Sequence, residues 1–304
     1  MILRCVCIVF FALTICFSSG LQAQFNVIGD ADDLGGDCYQ LTDTKDFEFG
    51  AIWSNELINL NESFEAQFQL YFGTKDEDGA DGIAFIFQPI SDNIGSAGGG
   101  IGFSGIDPSL GIVFDTWQNT DNNDPTEDHI TLMQNGDLNH NTALSPAVTV
   151  DNIEDGMWYD VRVVWNVNTS ELNVFWECGL LLSYTGDIVE DIFDGDPMVY
   201  WGFTSATGGA NNVHSVCIDY ISFLDGLSDH QICEGERILI GGEANPDYTY
   251  SWTPTNTLND PTLSNPEASP TETTTYILEL TDGCQFSFYD TVVVFVTSIP
   301  VSYT

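Results

Sequence analysis

The chain has 304 residues and carries 46 Asp and Glu against 5 Lys and Arg, a formal charge of -41. That charge repels polyphosphate, so it excludes a general nucleic-acid binder, and it disfavours anionic membrane surfaces. Hydrophobic content of 43% and aromatic content of 12% argue for folded domains rather than an acidic disordered tail, and the length suggests two of them.

Residues 1–23 read as a secretory signal. Arg4 supplies the positive charge, Cys5–Phe17 is a short apolar run, and Leu21-Gln22-Ala23 places a small residue before a cut at Gln24. The run is shorter than the ~20 residues a membrane helix needs, and no later segment is a candidate span. The expectation is an exported protein, secreted or at the cell surface, and not an integral membrane protein. Removing the signal leaves Cys38, Cys178, Cys217, Cys233 and Cys284, an odd number. Export permits disulfides, and the absence of any C-x-x-C pair argues against a zinc site built from cysteine.

From residue 24 the chain reads as short strands separated by Gly, Asn and Asp turns. In Phe64–Phe72, F-E-A-Q-F-Q-L-Y-F, apolar residues alternate with polar ones or Tyr71, the period of a strand with one buried face. Ile83–Phe87 is a continuous apolar run, as for a strand buried on both sides. Ser96–Gly105 is glycine-rich. Gly111–Thr116 and His129–Met133 are short strands around an acidic loop. Met157–Asn166 and Leu172–Glu177 flank the turn N-V-N-T-S, Asp187–Phe193 allows one helical turn, and Met198–Thr204 and Val216–Phe223 follow. With no long segment of 3.6-residue period, the class is all-β, a β-sandwich. Leu224–Asp229 is a plausible linker. Beyond it, Y-T-Y-S-W-T-P and N-D-P-T-L-S-N-P-E-A-S-P lead to a last strand at Thr291–Val296.

The stretch richest in chemistry is Val113–His129, V-F-D-T-W-Q-N-T-D-N-N-D-P-T-E-D-H. It sets Asp115, Asn119, Asp124 and His129 around a strand end. Such oxygen-rich loops can collect the several hard donors that calcium requires, although Asp/Asn/Pro loops are also ordinary turns. Most acidic side chains of the chain are read as solvated surface and only these few as cation ligands.

D-T-W-x-N-x-x-x-x-D-P-x-x-x-H resembles the metal loop of the L-type (legume-like) lectins. G-A-D-G-I-A-F-I-F-Q-P at Gly79–Pro89 resembles the segment carrying their sugar-binding Asp, and W-G-F-T-S-A-T-G-G at Trp201–Gly209 their late strand and loop. Three motifs in order extend the resemblance over roughly Asn26–Phe223. It is nearest to the bacterial secreted type, and the remainder resembles a PKD-like or immunoglobulin-like module. The implied fold is a concanavalin-like jelly-roll β-sandwich (24–225) followed by a small immunoglobulin-like β-sandwich (226–304).

The resemblance implies calcium held by Asp115, the Trp117 carbonyl, Asn119 and Asp124. His129 aligns with the histidine of a neighbouring transition-metal site. That site also uses a Glu where this chain has Val113, so the expectation is Ca2+ alone, with a second divalent metal weak or absent. His129 is then either a ligand or a strand-end histidine bonded to Asp124. The implied sugar site comprises Asp81 after a cis Ala80–Asp81 bond, backbone N–H groups at Gly100 with Gly99 beside it, the Trp117 ring, the Asn119 amide, and the loop Gly209, Ala210 and Asn211. Without the resemblance, Trp117 would read as core and Asp81 as a turn residue.

A disulfide between Cys233 and Cys284 is expected across the second domain. Cys38 could meet Cys217, with Cys178–Cys217 as the rival. Glycoside hydrolysis normally needs two carboxylates flanking the bond, and no E-x-D-x-x-E strand pattern occurs; Asp160 and Glu177 stand isolated on their strands. The function expected is calcium-dependent binding of glycans or polysaccharide without turnover. The alternatives are a structural adhesin with surface-protein partners, and a hydrolase of the same fold.

Overall fold

The computed structural model describes residues 25–221, 227–242, 244 and 248–297. The expected signal segment 1–23 and the start of the linker lie outside the described residues. The chain divides into two compact units, with the division at Leu224–Asp225.

The first unit is two large sheets. One has eight strands. Its path runs Phe25–Gly29, Phe49–Ser54, Met198–Ala206, Gly82–Gln88, Leu110–Asp115, His129–Gln134, Val148–Thr149, with Ile58–Asn59 beside Met198–Ala206. The other has seven, in the order Gly179–Thr185, Glu171–Trp176, Trp158–Asn166, Phe64–Tyr71, His214–Ile221, Cys38–Thr42, Asp32–Gly35. The pairings within both sheets are antiparallel.

The alternation in Phe64–Tyr71 produces a strand with Phe64, Ala66, Phe68 and Leu70 buried and the intervening residues half-buried. Its apolar face meets Ile83, Phe85 and Phe87, together with Ile112, Phe114, Trp201 and Phe203 of the opposite sheet. Phe203 stacks on Phe85 at 4.8 Å and meets Phe68 edge-on at 4.7 Å, the offset and T-shaped arrangements aromatic quadrupoles favour. The run Ile83–Phe87 is buried on both faces because a second cluster covers the outside of its sheet. There Ala84, Ile86, Val113 and Met133 pack under Ile101, Phe103 and Ile106, which the glycine-rich segment folds over them. Val113 is therefore core. The helical turn is Ile188–Phe193, capped by Asp187, whose side chain accepts the Glu190 N–H at 3.1 Å. The edge strand Gly179–Thr185 has no counterpart among the expected elements; its mostly exposed residues lack a clean alternation.

Cys38 and Cys217 face each other in register on neighbouring strands and form a disulfide. That excludes the rival Cys178–Cys217 pairing.

The second unit has a four-stranded sheet, His230–Cys233, Ser287–Thr297, Thr274–Thr281, Thr249–Thr253, and a two-stranded one, Ile238–Leu239 with Glu267–Ala268. Both contribute to one core around Trp252, Tyr276, Val292 and Val294. The Cys233–Cys284 disulfide expected here is not formed: Cys284 is disulfide-bonded, but Cys233 does not share that bond. Cys233 ends the strand His230–Cys233, whereas Cys284 lies in the turn after Thr281. Sequence position near the two ends of a domain does not bring two cysteines within bonding distance.

Candidate carbohydrate and metal site

Sheet register brings the motifs together. Gly82 pairs with Ala206 on one side and Asp115 on the other, and Asp115 pairs with His129. Four neighbouring strands thus reach one edge at the same rung. The loops that precede Gly82 and His129 and follow Asp115 and Ala206 all open there. The D-G pair is required: Gly82 has φ +128°, and a Cβ on it would run into the Phe114 carbonyl.

Asp81 lies at the centre. Its peptide bond to Ala80 is cis. Its N–H donates to the Ala206 carbonyl at 3.1 Å, and its carbonyl accepts the Thr116 N–H at 3.2 Å. The backbone is thereby fixed to both neighbouring strands. The carboxyl is buried at 4% exposure, and its Oδ2 has no hydrogen-bond partner in the protein. Burial pushes its pKa up to about 7.

Asn119 and two glycines surround that carboxyl. A Cβ placed on Gly99 would lie 3.5 Å from Asn119 Oδ1 and 3.7 Å from Asp81 Oδ1, and one on Gly208 would lie 3.8 Å from Asp81 Oδ2. Gly99 therefore faces both side chains. Gly100 does not: its N–H donates to the Gly98 carbonyl at 2.6 Å, and a side chain on it would point at Ser104. Trp117 is half-buried and belongs to neither core cluster of its unit. The core alternative for that residue fails.

In the late loop, Gly208 is the residue beside Asp81. Gly209 is exposed, and the Ala210 carbonyl accepts the Gly208 N–H at 3.2 Å. Asn211 donates its amide to Asp46 Oδ1 at 2.6 Å, and its oxygen accepts from Lys75 Nζ. The Asn211 side chain is thus engaged in tying loops together.

The acids of the loop that follows the strand Leu110–Asp115 act on the neighbourhood of the Asp81 carboxyl, the Asp81 and Asp124 charges both bearing on Asp115. Asp115 Oδ1 accepts the Trp117 N–H at 2.9 Å, and Asp124 Oδ2 accepts the Asn119 N–H at 2.6 Å. Both residues are buried, and Asp124 Oδ1 has no hydrogen-bond partner. Burial, then the charges of Asp124, Asp81 and Asp128, hold the Asp115 carboxyl well above the usual carboxylate range. Burial also raises Asp124. Uncompensated buried carboxylates are costly, and a hard divalent cation among them removes the penalty. Asp115, Asn119, Asp124 and the Trp117 carbonyl belong to one strand end and its loop and are donors of the kind such an ion takes. His129 does not bond to Asp124 as one expectation had it. Its Nδ1 meets the Glu127 carbonyl at 3.1 Å and its Nε2 meets Nε2 of His140 at 3.1 Å. Asp124, His129 and His140 offer three ligand atoms within 4.8 Å of one another, a group able to hold a metal ion. The sequence offered no motif offset that would single out His140.

A family model described as the legume lectin beta-barrel domain matches residues 17–220, and the chain belongs to the legume lectin (L-type lectin) family. A galactose-binding lectin of Arachis hypogaea is 35% identical over 131 residues, 40% of this chain and 45% of that protein. The L-type lectin-domain containing receptor kinase VIII.1 of Arabidopsis thaliana is 28% identical over 145 residues, 44% of this chain and 20% of the kinase. The chain thus spans less than half the length of either curated relative. Lectin I-B4 of Griffonia simplicifolia in its metal-free form superposes with a TM-score of 0.55 at 19% identity, covering 67% of this chain and 94% of that one. The lectin of Bauhinia forficata in complex with GalNAc gives 0.55 at 19%, covering 66% and 92%. At that identity these structures speak for the fold: a jelly-roll sandwich, all-β apart from short helical turns.

Proposed function

We propose that the protein is an exported lectin that binds carbohydrate in a calcium-dependent manner and does not turn it over. One observation carries this reading: a buried carboxyl with an unpartnered oxygen, Asp81, faces the Asn119 amide across Gly99, where no side chain fills the space. A carboxylate beside an amide accepts hydrogen bonds from adjacent sugar hydroxyls, and Gly99 lets a ring approach the backbone. Trp117 offers an apolar face to the ring. Calcium on Asp115, Asn119, Asp124 and the Trp117 carbonyl neutralises the acids below and keeps the Asp81 carboxyl ionised. Gly209, Ala210 and Asn211 belong to this reading as the rim that sets which sugar fits, with Asn211 acting through Asp46 and Lys75.

Absence of turnover fits the galactose-binding lectin of Arachis hypogaea and the lectins of similar fold. It also fits Asp160 and Glu177, whose carboxylates accept protein donors, Gln69 Nε2 at 2.8 Å and the Asp160 N–H at 3.2 Å. In the same reading residues 1–23 are an export signal, 24–225 the lectin-like domain and 226–304 a PKD-like or immunoglobulin-like module.

The experiment is retention on glycan-coated beads in calcium and in chelator, with galactose and GalNAc as the first competitors, because relatives were solved with those sugars. Calcium-dependent retention that free sugar reverses, lost in Asp81→Ala, is the expected result. Unchanged retention of Asp81→Ala, or release of reducing ends from a polysaccharide, overturns the reading.

A further inference from the structure

We infer that the cavity between the segment 149–155 and the stacked rings of Tyr159 and Trp176 is a binding site for an organic cation, an ammonium group carried on an apolar body. None of the residues lining it belongs to the group around Asp81.

The cavity has a volume of about 830 Å³, the size of a small-molecule site. It lies where the chain crosses from the edge strand Val148–Thr149 of one sheet to Trp158–Asn166 of the other. Asp128 fixes that crossing. Its carbonyl accepts the Val150 N–H at 2.8 Å, and its Oδ2 accepts the Ile153 N–H at 2.9 Å. One wall is aromatic: Tyr159 and Trp176 stack with centroids 4.8 Å apart and ring planes 20° apart. Trp176 also packs against Phe72 and Phe114 of the core. The wall is therefore anchored in the sandwich before any ligand arrives.

The remaining lining is negative. Glu127, Asp151 and Asp155 border the cavity, and no Lys or Arg does. The basic side chains of the described residues are engaged elsewhere: Lys45 with Asp43 and Glu48, Lys75 with Asn211, Arg162 with Glu65, and Arg237 with Glu267. The field registers on Tyr159. Burial first, then the charges of Asp155, Glu177 and Asp128, push its hydroxyl up to about 12. The ring stays neutral and keeps its π face for a cation.

Spacing and chemistry select the class of ligand. Among the described residues, the one group of three acidic or histidine ligands within 4.8 Å of one another is Asp124, His129 and His140. The acids of the cavity are thus too widely spaced to share a bare metal ion, whereas a larger cation spans them. A neutral molecule would gain the stacking and leave the charge unanswered. An ammonium on an apolar body takes both, its positively polarised methyl or methylene groups against the rings and its charge among the carboxylates. Val150 and Ile153 add apolar surface for that body.

The test is calorimetric titration of the full chain in excess calcium, without glycan, at physiological salt, which screens loose attraction to the acidic surface. Choline is compared with dimethylbutanol, the same shape with carbon in place of the charged nitrogen. One choline per chain is expected, held at least about 10-fold tighter than the uncharged isostere. Asp151→Asn combined with Asp155→Asn is expected to remove that preference and leave the isostere unaffected; asparagine keeps the acceptor that Asp155 gives the Met157 N–H. Glu272→Gln, at an exposed acid of the second unit, is expected to change nothing. Spermidine and glucosamine, titrated in the same way, distinguish a polyamine or an amino sugar from a quaternary ammonium as the source of the charge, and their loss in the double variant assigns them to this cavity. Absence of saturable binding by all three cations, an isostere bound as tightly as choline, or equal weakening by Glu272→Gln overturns the assignment. No glycan retention enters these measurements, so their failure and a failure of the lectin reading are told apart.

Discussion

Asn212 donates its side-chain amide to Glu154 Oε1 at 2.8 Å, and both residues are buried. The same amide reaches the Lys75 carbonyl at 2.9 Å, and its oxygen accepts the Thr74 N–H at 3.2 Å. The pair braces the turn that leads into Ala80 and Asp81. A side chain on Gly79 would run into the Glu154 carboxyl, so that turn closes directly onto it.

Glu154 makes this brace sensitive to pH. Burial, reinforced by Asp128 and Asp76, pushes its pKa from 4.5 up to about 8. The folded state then binds the proton more tightly than the unfolded chain. Its contribution to stability is fully present below 4.5 and is lost as pH rises through about 8. Glu154→Gln keeps an acceptor for Asn212 without the ionisation. Urea denaturation is expected to show little difference between the proteins at pH 4 and a variant more stable at pH 9, by up to about 5 kcal/mol. Equal pH dependence of the two would show that Glu154 is not the group responsible.

The Asp81 carboxylate is expected to carry most of the sugar affinity. Hydrogen bonds to a charged group are worth about 1.5–3 kcal/mol each, so losing two weakens binding by at least about 100-fold. Asp81→Asn should therefore lose bead retention while keeping the melting temperature of the wild type. Titration calorimetry with a binding monosaccharide measures the loss directly.

Calcium should stabilise the first unit. An ion at 100 times its dissociation constant adds about 2.7 kcal/mol, which for a domain of this size corresponds to about 5–10 °C in melting temperature. Asp115→Asn removes a carboxyl held far above its usual range. It should melt above the wild type in chelator and gain little from added calcium. Scanning calorimetry of both proteins, each with and without calcium, reads the four values.

The Cys38–Cys217 bond closes a sequence separation of 179 residues. In the chain-entropy model such a loop is worth about 5 kcal/mol, with about 2–4 kcal/mol typical of measured bonds. Cys38→Ser with Cys217→Ser should lower unfolding stability by that amount and leave glycan retention intact, since the bond lies outside the loops around Asp81. A double variant as stable as wild type would mean that strand pairing alone holds Cys38–Thr42 in place.

The amino-acid sequence by itself determined the all-β class and most of the longer strands of the first unit, though not the edge strand Gly179–Thr185. Alternation in Phe64–Tyr71 and the unbroken apolar run at Ile83–Phe87 encode burial locally, because successive side chains of a strand point to opposite faces. The spacing of Asp115, Trp117, Asn119 and Asp124 was equally legible, being confined to one strand end and its loop. Tertiary structure alone decided which glycine faces Asp81, that Cys38 joins Cys217 while Cys284 does not join Cys233, that Asn212 bonds Glu154, and that His140 meets His129. The physical reason is common to all four. Each contact joins residues on separate loops or strands, and their meeting depends on sheet register and loop closure, which no short-range periodicity contains.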